Sequence, residues 1–207
     1  MGDIYDIYPS IVKASDSPVV LEIGVGTGED TGRLVQCVLE RGKPYTFLAF
    51  EPEWKNIPRI RSRSLPGRVE LLPVAIGAKT GVADFISSGD WPLSGSLKKP
   101  VEHLKSYPWL KFQPPTPVPV MSLDDVFRVY AIERCDFMWI DVQGAEDLVI
   151  EGGQNALAKT RWVYSECYST EEYEGHIGPV EMRRRLPGQW TITQQWGDNY
   201  LFKNNAL

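Results

Sequence analysis

Two histidines, three cysteines and no long apolar run already exclude several classes for this 207-residue chain. Cys37, Cys135 and Cys167 are odd in number and fall inside segments with regular periodicity, so no disulfide framework is expected. They read as buried free thiols in a reducing compartment, which predicts a cytoplasmic protein. No apolar stretch approaches the roughly 20 residues that a membrane span needs. The opening Met1-Gly2-Asp3-Ile4-Tyr5-Asp6 lacks the basic and apolar regions of a secretory leader, and no Ser or Thr stands at position 6 for myristoylation. No membrane partner is therefore expected. A net charge of −5 argues against a general nucleic-acid binder, and Arg183-Arg184-Arg185 reads as a solvated helix face. The histidines, His103 and His176, lie in segments read as surface loop; no compact ligand spacing predicts a metal site.

What is present begins with Val19-Val20-Leu21-Glu22-Ile23, a short β-branched run that reads as a buried parallel strand. Gly24, Gly26 and Gly28 follow, where absent Cβ atoms let the backbone turn sharply and approach a ligand. Glu29 to Arg41 then carries Leu34, Val35, Val38 and Leu39 at helical spacing, with Gly42 as its stop. Strand, glycine loop and helix form the first unit of a nucleotide-binding α/β sheet. A dinucleotide fingerprint would place its third glycine at position 29, where this chain has Glu29. The loop and first helical turn hold Glu29 and Asp30 and no Lys or Arg before Arg33, so a pyrophosphate would meet like charge. No Gly-Lys-Ser/Thr follows, which excludes a P-loop. A phosphate-free adenosine carrying a positive sulfonium suits such a loop better, and S-adenosylmethionine is that molecule.

Thr46-Phe47-Leu48-Ala49-Phe50 predicts the second strand, ending at Glu51-Pro52. A carboxylate there can accept one ribose hydroxyl on each oxygen, and Pro52 fixes the turn that aims it. Lys55 to Leu65 reads as a short helix limited by Pro58, and Val69 to Gly77 as the third strand, with an extended Val82 to Ile86 after it. Residues 87–119 break the pattern, with seven prolines, Trp91 and Trp109; a substrate-covering insertion is expected. Ser122 with Asp125 caps a predicted helix from Leu123 to Ala131. Cys135 to Ile140 reads as strand four, closing on Asp141, and Trp162 to Ser165 as strand five, closing on Glu166. Between them a helix opened by Gly144 has Ala145, Leu148, Val149 and Leu157 as candidate core positions, with a bend at Gly152-Gly153. A short helix near Pro179 to Leu186 precedes a terminal hairpin, Trp190 to Trp196 and Tyr200 to Lys203, turning at Gly197-Asp198-Asn199. The whole predicts one domain over residues 1–207: a Rossmann-like α/β fold with a seven-stranded, mostly parallel sheet, one antiparallel strand near the C-terminus, and helices on both faces.

In this order, Leu21-Glu22-Ile23-Gly24, Phe50-Glu51-Pro52, Val74-Ala75-Ile76-Gly77, Ser122-Leu123-Asp124-Asp125 and Ile140-Asp141-Val142-Gln143-Gly144-Ala145-Glu146 resemble class I S-adenosylmethionine-dependent methyltransferases of the FkbM type. The last segment resembles that family's Ile-Asp-Val-Glu-Gly-Ala-Glu, with Gln143 in place of the first Glu. The resemblance implies S-adenosylmethionine as cofactor on the carboxyl side of the sheet, and hydroxyl acceptors on sugars, glycans or small natural products.

Cofactor-binding roles are expected for Glu22 and Thr27 at the amino-acid end, for Gly24, Gly26 and Gly28 beneath it, for Glu51 and Pro52 at the ribose, and for Ala75 and Ile76 beside adenine. Asp141 is the leading catalytic candidate; it could contact the cofactor's ammonium or take the acceptor's proton. Glu146 is a second candidate, with helix-dipole stabilisation as its other role. Ser94, Ser96 and Glu166 are expected at the acceptor. Two other readings stand beside this one. A nicotinamide-dependent oxidoreductase is disfavoured by Glu29, and a non-catalytic methyltransferase-like binding module is suggested by Gln143 alone.

Overall fold

The computed structural model describes residues 3–207. Its main sheet holds seven strands: β1 (Val19–Ile23), β2 (Thr46–Phe50), β3 (Glu70–Leu72), β7 (Phe137–Ile140), β8 (Trp162–Glu166), β9 (Trp190–Trp196) and β10 (Asn199–Asn204). They lie in the order β3-β2-β1-β7-β8-β10-β9. Only β10 runs against the rest, pairing antiparallel with both β8 and β9. Strand order reverses between β1 and β7, and the register there aligns Ile23 with Phe50 on one side and Ile140 on the other. The residues that follow these strands therefore emerge together, at the crevice where open α/β sheets bind ligands.

Side-chain alternation sends each strand's apolar residues to two cores. Leu21, Ile23, Leu48, Phe50, Met138 and Ile140 pack to one face. There they meet α5 (Leu123–Val129), α6 (Glu146–Glu151), α7 (Gln154–Ala158) and α8 (Pro179–Arg185). Val20, Phe47, Ala49, Phe137 and Trp139 pack to the other face, against α1 (Ile4–Lys13), α2 (Glu29–Leu39) and α3 (Asn56–Ser62). Helix α1 was not expected. Ile4, Tyr8, Ile11 and Val12 do recur at helical spacing and are buried, but Pro9 among them masks the pattern. Asp3 and Asp6 close a reciprocal cap at its start.

Three predicted boundaries move. The expected third strand splits at Pro73: β3 stays in the main sheet, while β4 (Ala75–Gly77) joins β5 (Gly81–Phe85) and β6 (Thr116–Ser122) in a second sheet ordered β4-β6-β5. Residues 116–119, expected to be irregular, are strand. Pro117 and Pro119 take alternate positions, leaving Val118 and Val120 as the donors along that stretch. The insertion also contains a single helical turn, α4 (His103–Ser106). The helix after Asp141 divides into α6 and α7 at Gly152-Gly153, where the bend is expected; Gly152 lies against the carbonyl of Gly77, where a Cβ would come within 2.1 Å. Within it Leu148 is only partly buried and Ile150 joins the core instead. Cys135 and Cys167 are buried free thiols, whereas Cys37 is partly exposed on α2. No helix among the described residues is long and apolar enough to cross a membrane.

Candidate active site

The tips of β1, β2 and β7, the start of α2, β4 and the near side of the insertion enclose a cavity of about 240 Å³. It is lined by Glu22, Glu29, Asp30, Glu51, Glu53 and Asp141, and by no Lys, Arg or His. Glu29 is paired with Arg63 at 3.0 Å outside the lining, and the other acidic groups, with no cation on the wall, favour a positively charged ligand.

The glycine loop is shaped by close approach. Gly24 adopts φ +85°, its N–H donates to Phe50 O, and a Cβ there would lie 1.7 Å from the Asp141 carbonyl oxygen. Only glycine lets the β1 and β7 connections touch in this way. Gly26 and Thr27 line the cavity with Gly24. Gly28 does not: it is the left-handed residue that starts α2, and its open side faces Ile60 and Arg63 of the α3 region. It packs the helix start and lies outside the cavity lining, although a cofactor contact is expected from the sequence.

Glu51 is buried and holds the loop. Its Oε2 accepts from Gly26 N at 2.7 Å, and its Oε1 from Glu53 N at 2.8 Å and Asn56 Nδ2 at 3.4 Å. Burial pushes its carboxyl up to about 7, with these donors opposing the rise. Glu22 is buried beside it with Oε2 unpartnered, and burial raises it to about 8. An orphaned carboxylate oxygen in a cation-free cavity matches the ammonium or sulfonium of a charged nucleoside. Pro52, Ala75 and Ile76 complete the wall, although the last two arrive from the second sheet.

Asp141 ends β7 with its carboxyl at the cavity, held well above the usual carboxylate range by burial and by the nearby Glu166. Gln143 Nε2 donates to its Oδ1 at 2.7 Å. Glu166, at the end of β8, accepts from Tyr168 Oη at 2.6 Å and lies outside the lining. Glu146 stands behind the cavity, accepting from Gly144 N at 3.3 Å; burial raises it to about 8, and it braces the turn into α6. Ser96 reaches the lining and donates to Gln143 O at 2.7 Å. Ser94 is buried one residue away from the cavity wall, against His103 Nε2 at 3.2 Å. His103, expected at the surface, is buried: its Nδ1 lies 3.3 Å from Glu172, and Tyr107 and Tyr173 stack beside it.

Sequence reasoning did not single out Asn56, Tyr173 or Leu93 for this site. Asn56 Nδ2 ties Glu51 to Pro92 O of the insertion. Tyr173 Oη reaches both Ser94 O and Gln143 Oε1. Nothing local distinguishes these residues, since their partners lie 30 or more positions away for every contact except Asn56 to Glu51.

The Methyltransferase FkbM domain family matches residues 22–200. A 2-O-methyltransferase, NoeI of Sinorhizobium fredii (strain NBRC 101917 / NGR234), is 41% identical over 192 residues, covering 89% of this chain and 77% of that protein. Among solved structures, the trans-methyltransferase CalH in complex with SAH superposes with a TM-score of 0.51 at 14% identity, over 97% of this chain and 54% of CalH. An rRNA methylase from Streptococcus thermophilus gives 0.49 at 10% identity, over 99% of both chains. With a family match across most of its length, this chain belongs to the FkbM methyltransferases, with S-adenosylmethionine as its cofactor.

Proposed function

We propose that this methyltransferase alkylates a hydroxyl oxygen on a sugar, a glycan or a small natural product. Oxygen as the acceptor atom is supported by the 2-O-methyltransferase that shares 41% identity over 89% of the chain, and this observation carries the reading. A ring-shaped acceptor is favoured by the insertion, where exposed Trp91 and Trp109 meet edge to face at 5.2 Å beside the cavity-lining Pro92 and Leu93.

The bound cofactor supplies an electrophilic methyl carbon on sulfur. The chain supplies alignment, charge and a proton acceptor. Glu51 keeps lone pairs for the ribose hydroxyls while its bonds to Gly26 and Glu53 fix the loop. Glu22 and Thr27 serve the amino-acid end, and Ala75 and Ile76 flank the adenine. Asp141 accepts the hydroxyl proton; burial raises its carboxyl, which makes the ionised form a stronger base than an ordinary carboxylate. Glu146 and Ser94, set behind the wall, act on its shape rather than on substrate.

The test is incorporation of label from methyl-labelled S-adenosylmethionine into fractionated glycans and small metabolites. Label in an alkali-stable ether is expected. Asp141→Asn should lower turnover by about 10²- to 10⁴-fold while S-adenosylhomocysteine binding, read by calorimetry, changes little. Label on nitrogen or carbon, or full turnover by Asp141→Asn, overturns the assignment. Cofactor binding with no acceptor in any fraction would favour the non-catalytic reading.

A further inference from the structure

Gln143 has a backbone that its side chain does not need. Its φ is +53°, in the left-handed region that non-glycine residues rarely adopt, and Gly144 follows at +88°. Such conformations persist where the surroundings hold them, and they gather at functional sites. Here the surroundings are visible. Gln143 N and O belong to the turn after β7, Ser96 Oγ donates to Gln143 O, and Tyr173 packs directly over Gly144, where a Cβ would come within 2.5 Å of the tyrosine Cβ.

The side chain is committed at both ends. Nε2 donates to Asp141 Oδ1 at 2.7 Å, and Oε1 accepts from Tyr173 Oη at 3.2 Å. The ionised carboxylate orients the amide: it only accepts, so Nε2 faces Asp141 and Oε1 is left towards the Tyr173 phenol. Tyr173 is fully buried, and its hydroxyl also reaches Ser94 O at 3.0 Å, in the insertion that covers the cavity. The single phenol proton is shared between Ser94 O and Gln143 Oε1, so Tyr173 stands between the cover and the amide that bonds Asp141.

We propose that Gln143 is the positioning residue of this enzyme, holding the Asp141 carboxylate aimed and ionised, with Tyr173 as the strut that fixes the amide and links it to the insertion. The inference rests on the reading of Asp141 as proton acceptor. The groups around Asp141 make the amide necessary. Glu166 on β8, Asp30 on α2, Glu22 on β1 and Glu146 on α6 all add negative charge or buried carboxyl nearby. Tyr164, Tyr168 and Tyr173 are the remaining titratable neighbours, and all three are pushed to higher values by burial. The Gln143 N–H bond opposes the rise at Asp141, and Gln143 with Tyr168 opposes the rise at Glu166. A hydrogen bond to the charged form of an acid favours that form.

The experiment follows the Asp141 carboxyl directly. In ligand-free protein labelled with ¹³C at aspartate carboxyls, the resonance missing from Asp141→Asn assigns Asp141, and its midpoint is read by pH titration. Gln143→Glu keeps the shape and the acceptor for Tyr173 but replaces the donor with a fifth acid. Its Asp141 midpoint should rise by about one unit or more, and the acidic limb of kcat/KM on the label-accepting fraction should move with it, a loss of about fivefold or more at the wild-type midpoint. S-adenosylhomocysteine affinity at high pH should stay within about threefold. Tyr173→Phe, which removes one hydroxyl from a buried ring, should lower kcat by about 2- to 10-fold without changing that affinity. An unmoved midpoint in Gln143→Glu overturns the proposal; if that variant does not fold, an unchanged kcat in Tyr173→Phe does so. Should Asp141→Asn itself turn over normally, the proton-acceptor reading fails while the titration still decides what Gln143 does.

Discussion

The floor of the cavity and its cover are built by opposite means. The floor consists of strand tips whose positions follow from sheet register, held by backbone bonds such as Gly24 N to Phe50 O and Asp141 N to Ile23 O. Of its carboxylates, Glu51 bonds the loop at Gly26 N, whereas Glu22 keeps an unpartnered oxygen. The cover, residues 87–112, meets that floor through single side-chain ties, Asn56 to Pro92 O and Ser96 to Gln143 O. Backbone bonds tie it instead to the segment after β8, as Val101 N to Glu172 O and Glu174 N to Lys99 O, beside Tyr173 to Ser94 O and His103 with Glu172. It leaves Trp91, Tyr107 and Trp109 exposed. A constant cofactor permits a floor fixed by backbone geometry. A variable acceptor is met by side chains on an irregular segment, where change costs the scaffold little.

The contrast is sharpest at Gly24. Gly24→Ala places a methyl on the Asp141 carbonyl at a positive φ, and is expected to cost at least about 4 kcal/mol, read as loss of folded protein or of cofactor binding. Gly26→Ala, two residues on, meets only the movable Leu93 Cδ2 at 2.8 Å and should cost about 1–2 kcal/mol, measured by thermal melting. Equal losses at both would break the distinction between a backbone-locked floor and a yielding cover.

On the cover, His103→Ala removes a buried ring and strands Glu172. A loss of about 2–4 kcal/mol in denaturant unfolding is expected, with a raised acceptor KM and an unchanged affinity for S-adenosylhomocysteine. A fall in that affinity comparable to the floor variants would mean the two regions act as one.

Glu51→Gln sets an amide against the Gly26 or Glu53 N–H and removes charge. Cofactor affinity should drop by about 10- to 100-fold in calorimetry, with acceptor KM little altered.

The smallest effect is on pH. Burial pushes the Glu51 and Glu22 carboxyls up to about 7 and about 8, above their unfolded values. A carboxyl raised on folding contributes stability fully below its unfolded pKa, and that contribution is lost as pH rises through the folded value. Ligand-free protein should therefore melt a few degrees lower as pH passes through this window, while affinity for the cationic cofactor rises and its binding releases protons. A melting temperature that climbs with pH would show that these carboxyls are already ionised and paired.

Much of the floor could be read from local pattern. The run Val19 to Ile23, the glycines at 24 and 26 and the carboxylates closing Phe50 and Ile140 announce themselves because strand burial and backbone approach depend on adjacent residues. Helix α1 was missed because Pro9 interrupts its run, although its buried positions keep helical spacing. Pro73 was read through, and only the pairing of Ala75 with Val120 shows that the strand had changed sheets. Gly28 looked identical to Gly24 and Gly26; the difference lies in what faces it, Ile60 and Arg63 rather than the cavity.

The amino-acid order alone determined that an acid-rich glycine loop stands between a buried strand and a helix, and hence that the ligand should be a cationic nucleoside rather than a pyrophosphate. Those are properties of neighbours in the chain: charge, Cβ absence and period. The tertiary structure decided which carboxylates share the cavity, that Glu146 and Ser94 stand behind it, and that Gln143 and Tyr173 bridge Asp141 to the cover. These contacts join β7, the insertion and the segment after β8, and no local pattern encodes a hydrogen bond between residues that only the packed sheet brings together.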